Sequence, residues 1–160
     1  MPVGTSKQFD KTHPPALAVY CSDGRFTDAV EELLHTHGHP RLDTLTLPGG
    51  AALLELGSAG FSQLETMRGA ATFLIRAHGT TKVVLIAHEG CGFYANRYRM
   101  DSPEAIRALQ LADLRAAARW VLATHEGVSI LLYFAYIEYA VRGSVRGPPI
   151  GKIAFQEIEL

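Results

Sequence analysis

The chain has little of what secreted and membrane proteins depend on. Two cysteines, Cys21 and Cys91, in 160 residues cannot build a disulfide-stapled scaffold. Such a pair in an intracellular chain points instead to metal ligands or buried apolar side chains. The first residues, MPVGTSKQFDKTHPP, hold no apolar run and do not read as a signal peptide. The longest strongly apolar stretch, Val128 to Ile137, is about half of the roughly 20 residues that cross a bilayer. Neither sign of charge dominates: 15 Lys and Arg against 16 Asp and Glu leave a net charge of −1. No global field therefore attracts nucleic acid or anionic lipid. Repeats, low-complexity tracts and long linkers are missing too. The expectation is a cytoplasmic protein with a small-molecule substrate, no nucleic-acid partner and no membrane.

What is present is an ordinary globular composition, 48% hydrophobic and 19% charged. It suffices for one core. Residues 1–15, with Pro14-Pro15 at their end, read as an N-terminal arm, and 16–160 as a single α/β domain.

From Ala16 the pattern alternates. Ala16 to Tyr20 is a short apolar run ending at Cys21-Ser-Asp-Gly-Arg25. Phe26, Ala29, Val30, Leu33, Leu34 and His37 then lie on one helical face, with Asp28 and Glu31 as a capping box and Gly38 and Pro40 as a stop. Leu42 to Leu47 reads as a strand entering Pro48-Gly49-Gly50. A second helix has the stripe Phe61, Leu64, Met67, Ala71, Leu74, His78, closed by Gly79. Lys82 to Ala87 has the unbroken apolar pattern of a strand covered on both faces. A third helix begins near Asp101 or Ser102, with Pro103 in its first turn and the stripe Ile106, Leu109, Ala112, Ala116, Trp120. Ser129 to Ile137 is another buried strand, and Lys152 to Ile158 an edge strand. The alternation predicts a mostly parallel central sheet flanked by helices. Ligands of such sheets sit beyond the carboxyl ends of the strands.

Those ends carry the chemistry. Cys21-Ser22-Asp23-Gly24-Arg25 follows the first strand, and His88-Glu89-Gly90-Cys91-Gly92 follows the central one. Zinc prefers thiolate and imidazole, and a catalytic zinc keeps three protein ligands and one open position. Cys21, His88 and Cys91 offer that set; two core cysteines and a capping histidine are the plainer alternative. Other clusters carry less. His35, His37 and His39 surround a helix stop and read as a positively biased terminus rather than a metal site. Cys21 and Arg25 are too close for a phosphate-cradling cysteine loop. Gly49-Gly50 lacks the lysine of a phosphate-binding loop. Tyr133, Tyr136 and Tyr139 read as core and interface rather than a stacking platform.

Cys-x-Asp-x-Arg after one strand and His-x-x-Cys-Gly after a later one resemble the paired signatures of the β-class carbonic anhydrases. The resemblance runs in order and spacing from about Ala16 to Gly92, with a Gly-rich loop between. It implies that fold, one Zn2+ held by Cys21, His88 and Cys91, and an ion pair of Asp23 with Arg25 beside it. It implies an enzyme, a lyase in which zinc-bound hydroxide hydrates carbon dioxide to bicarbonate. In that family the aspartate leaves the fourth position to water or takes it itself. Gly49, Gly50 and Gly92 would line the substrate's approach, and a homodimer or higher homo-oligomer would be the assembly.

The chain departs from the family pattern at Leu47-Pro48, where arginine and asparagine are usual, at Glu89, where a small hydroxyl is usual, and at Phe93-Tyr94, where residues are smaller. Such a pocket also suits carbonyl sulfide or carbon disulfide hydrolysis. A non-catalytic zinc-binding relative is the third alternative.

Overall fold

The six apolar residues Ala16–Cys21 are all buried, and they form the strand β1. The computed structural model describes residues 1–160 other than 2, 7, 56, 100, 101 and 140–150. After β1 come α1 (Gly24–Thr36), β2 (Asp43–Leu47), a 3-10 helix (Gly50–Leu54), α2 (Phe61–His78), β3 (Lys82–His88), α3 (Gly92–Arg97), α4 (Pro103–Thr124), β4 (Ser129–Tyr139) and β5 (Gly151–Glu157). The sheet order is β2-β1-β3-β4-β5. The first four strands run parallel, and β5 pairs antiparallel with β4 at the edge. This is the single α/β domain expected, with a mostly parallel sheet between helices.

Two-sided strands make two cores. Leu17, Val19, Val83 and Leu85 point to the face covered by α2, α4 and the 3-10 helix, where Met67, Leu114 and Val121 close over them. Ala18, Tyr20, Val84 and Ile86 point to the other face, against Val30 and Leu34 of α1. The strand period of two carries both rows to the carboxyl edge. Cys21 continues the Leu17/Val19 row at the end of β1, and His88 continues the Val84/Ile86 row at the end of β3. β1 and β3 are neighbours, and the chain leaves them in opposite directions across the sheet. That crevice is the topological switch point.

Three expectations need correction. The first helix starts at Gly24, not at Asp28: Asp23 is the N-cap and its carboxylate accepts from the Arg25 N–H at 3.1 Å. The Asp28/Glu31 pattern lies inside the helix. Phe61 opens α2 as foreseen but is 74% exposed; Leu64, Met67, Ala71 and Ile75 make the buried face. On α4 the buried face is Gln110, Leu114, Ala117, Ala118 and Val121 rather than the stripe through Ala112 and Trp120. Alanines around most of that helix leave periodicity unable to choose a face, and a buried glutamine disguises the right one. Ser102 caps α4 by accepting from Ala105 N–H; Asp101, the other suggested start, lies outside the described residues. Among the described residues no helix is long and apolar enough to cross a membrane.

Candidate metal centre

The centre is built from two strand ends and one short helix. Cys21 ends β1 and His88 ends β3, while Cys91 is the N-cap of α3. One donor atom from each of these three lies within 4.8 Å of the other two, and all three residues are buried. The two sulfurs are 3.8 Å apart.

The imidazole settles its own tautomer. His88 Nδ1 lies 2.8 Å from the Glu89 carbonyl oxygen, which can only accept, so Nδ1 carries the proton. Nε2 is left with its lone pair. That atom is buried and has no hydrogen-bond partner. A buried polar atom without a partner costs about 1–3 kcal/mol. A soft cation against two sulfurs and this nitrogen would remove that cost, so the donor set fits zinc. The ring is held by a tilted contact with Phe26 of α1, centroids 4.3 Å apart, and its backbone carbonyl accepts from buried Gln110 Nε2 at 2.9 Å.

Backbone N–H groups stand near both sulfurs, though Cys91 closes no side-chain capping hydrogen bond on α3. Those of Gly49 and Asp23 favour the Cys21 thiolate, and those of Phe93 and Tyr94 favour the Cys91 thiolate. The two thiols form one hydrogen-bonded pair, in which either sulfur can donate. Donation from Cys91 is the main influence lowering Cys21, and the same bond, with burial, raises Cys91. Gly50 explains the closeness of the loop. A Cβ there would fall 2.5 Å from the backbone N of Cys21, at a φ of +51° that side chains disfavour. Gly49 and Gly50 thus lie flat over Cys21. Gly92 opens α3 with nothing within 4 Å of where its Cβ would be.

Asp23 and Arg25 form the anticipated ion pair. Arg25 Nη2 donates to Asp23 Oδ2 at 2.6 Å and Nε to Oδ1 at 2.9 Å. A weaker bond to the Gly90 carbonyl, 3.4 Å, ties the pair to the β3–α3 loop. Arg25 is mostly exposed and Asp23 half-buried. Hydrogen bonding from the Arg25 side chain is the largest cause holding Asp23 down at about 2. The carboxylate is thus ionised throughout the neutral range.

The Glu89 carboxylate accepts from the Ile137 N–H at 2.9 Å, prolonging the β3–β4 pairing past its last residue. Beside Cys91 a cavity of about 330 Å³ is lined by Glu89, Gly90, Arg107, Gln110 and Tyr136, among others. His35, His37 and His39 stay out of the centre. His37 is the C-cap of α1, with Nδ1 2.7 Å from the Leu33 carbonyl. Gln110 and the buried group of Ser58, Tyr94 and Asp113 behind Cys91 were missed by the sequence reading. No local pattern marks them, since each acts across the fold.

A model of the family described as "Putative carbonic anhydrase" matches residues 12–143. Among solved structures, a β-carbonic anhydrase from Trichomonas vaginalis is similar at 14% identity and a TM-score of 0.54, over 94% of this chain and 87% of that one. A tetrameric β-carbonic anhydrase of Sordaria macrospora is similar at 14% identity and a TM-score of 0.53, over 78% and 77%. One from Aspergillus fumigatus is similar at 16% identity and a TM-score of 0.50, over 78% and 72%. At such identities the likeness to these structures is one of fold. A comparison with curated proteins gives no match. The family match spans most of the sheet and both cysteine segments, and on it the chain belongs to the putative carbonic anhydrase family, as a divergent β-class-like member.

Proposed function

We propose that the chain is a zinc-dependent lyase catalysing reversible hydration of carbon dioxide to bicarbonate, with zinc held by Cys21, His88 and Cys91. The observation that carries this is the unpartnered, buried Nε2 of His88 facing two sulfurs. Zinc bound there supplies a Lewis acid that acidifies water, less strongly beside two thiolates than among three histidines.

The chain's own residues supply the rest. Glu89 O fixes His88 Nδ1–H, so Nε2 always presents a lone pair. Arg25 fixes Asp23 through its backbone N–H and Nε on Oδ1 and through Nη2 on Oδ2, and keeps it charged, so that Oδ2 is the oxygen with a lone pair to spare. Asp23 then accepts a hydrogen bond from the attacking water and aims its free lone pair at carbon. Gly92, with open space where a Cβ would be, leaves room for a linear triatomic substrate, while Gly49 and Gly50 bring the loop backbone down beside Cys21.

Support for a second reading, hydrolysis of carbonyl sulfide or carbon disulfide, comes from the groove lined by Leu47, Pro48, Leu53 and Phe93. Its apolar wall stands at the Gly49 loop, with Ser62, Gln63 and Thr66 completing the lining, and suits the larger, more polarisable sulfur atom of such substrates. We also carry over a homodimer or higher homo-oligomer, supported by the edge position of β5 and the exposed Tyr139. Thiolate ligands favour the reducing cytoplasm.

Stopped-flow carbon dioxide hydration, normalised to bound zinc, tests the proposal. Turnover above buffer that vanishes in Cys91→Ser is expected. Zinc with no hydration, but with sulfide release from carbonyl sulfide, selects the second reading. Zinc with neither activity leaves the non-catalytic relative.

A further inference from the structure

α3 presents a problem of stability. It has six residues, Gly92–Arg97, too few to hold a helix by its own hydrogen bonds. Its first turn nevertheless has to hold Cys91, its N-cap, with the sulfur 3.8 Å from that of Cys21. Two adjacent side chains of this helix reach in different directions. The Tyr94 hydroxyl donates to Asp113 Oδ2 of α4 at 2.5 Å. The same oxygen accepts from the Ser58 hydroxyl, and Ser58 Oγ lies 3.3 Å from the Tyr98 hydroxyl. Tyr94 and Ser58 are 2% and 1% exposed. The Asp113 carboxyl between them is half-buried, and taking it even partly out of water costs free energy that these hydrogen bonds offset.

Phe93 turns towards the Gly-rich loop. Its ring lies on Gly49, so close that a Cβ there would meet Phe93 Cδ1 at 2.8 Å. Gly49, at a φ of +93°, is the residue whose N–H faces Cys21. Each aromatic side chain thus grips an element that carries or covers one cysteine: Phe93 the glycine loop packed on Cys21, and Tyr94 the helix that Cys91 caps.

We propose that Phe93 and Tyr94 are positioning residues for the two cysteines: Phe93 seats the Gly49 loop on Cys21, and Tyr94, through Asp113 and Ser58, fastens the first turn of α3 under Cys91. The proposal rests on the metal reading and explains why large residues stand where the family pattern has small ones. Zinc release to a chelator and the absorption spectrum of the Co2+-loaded protein are the readouts. Tyr94→Phe and Phe93→Ala should each release zinc about tenfold faster or more, the usual effect of losing an outer-shell partner. Their cobalt bands should shift while far-ultraviolet circular dichroism stays the same. Asp113→Asn keeps an oxygen acceptor and Phe93→Leu keeps bulk, so both should return towards wild type. Wild-type release rates and cobalt spectra in Tyr94→Phe and Phe93→Ala would overturn the proposal. Should Tyr94→Phe not fold, the Phe93→Ala and Phe93→Leu pair decides. If the wild type takes up neither zinc nor cobalt, the metal reading fails, and iodoacetamide alkylation of Cys21 still reads the clamp. Faster alkylation in Phe93→Ala than in wild type supports it, and equal rates refute it.

Discussion

His88 and His125 are both buried, 3% and 5% exposed, and both sit at an end of the sheet's strands. His88 stands at the carboxyl edge, His125 in the turn that leads into the amino end of β4. Their ring nitrogens are treated differently. His125 Nε2 has Thr72 Oγ1 at 3.4 Å, and its ring meets Trp120 edge-on. His88 has one nitrogen locked by Glu89 and the other left bare among sulfurs. One histidine is a core residue with a weak partner, the other a donor kept waiting. Burial does not distinguish them, and a bare nitrogen alone is not enough, since His39 Nε2 is unpartnered too; the two cysteines beside His88 make the difference.

The largest effect expected from this contrast is on metal. His88→Ala should drop zinc from about one per chain to trace and lower Tm on the order of 10 °C, since binding energy is also folding energy. His125→Gln should keep the zinc. So should the triple alanine variant of His35, His37 and His39. Zinc by mass spectrometry and a thermal melt check all three. Full occupancy in His88→Ala would erase the distinction.

A smaller effect concerns the groups around the bare nitrogen. Asp23→Asn and Arg25→Ala should retain zinc and lower turnover per zinc about 10–100-fold. Equal turnover in both variants and wild type would reduce the pair to a helix-capping salt bridge.

The smallest effect lies at the other histidine. Burial, and then the charge of Arg76, hold His125 below the ordinary 6.5. Below about that pH the unfolded chain takes up a proton that the folded chain refuses. Stability from His125 is therefore full above 6.5 and is lost as pH falls through the lowered folded value. The urea-midpoint gap between wild type and His125→Gln should narrow from pH 7 towards pH 5. A constant gap would mean that His125 does not titrate with folding.

The same contrast shows what a sequence can carry. The strands at 16–21 and 82–88 are legible because buried parallel strands are continuous apolar runs. The ligand trio is legible because it falls where those runs stop. The cap at Asp23 was obscured by a second, better-looking pattern at Asp28 and Glu31. The buried face of α4 was hidden by alanine on nearly every side. α3 and the 3-10 helix are too short for any period to register. The Glu89 bond to Ile137, the Gln110 bond to His88 and the Tyr94–Asp113 tie join residues distant in sequence. No local spacing announces such pairs; they follow from the fold.

The account rests on which atoms hold the metal, and X-ray absorption at the zinc edge of the purified protein reads them directly. Two sulfur scatterers at about 2.3 Å, one nitrogen at about 2.0–2.1 Å and one further light atom are predicted. A shell of light atoms alone, or of four sulfurs, would contradict the assignment of Cys21, His88 and Cys91.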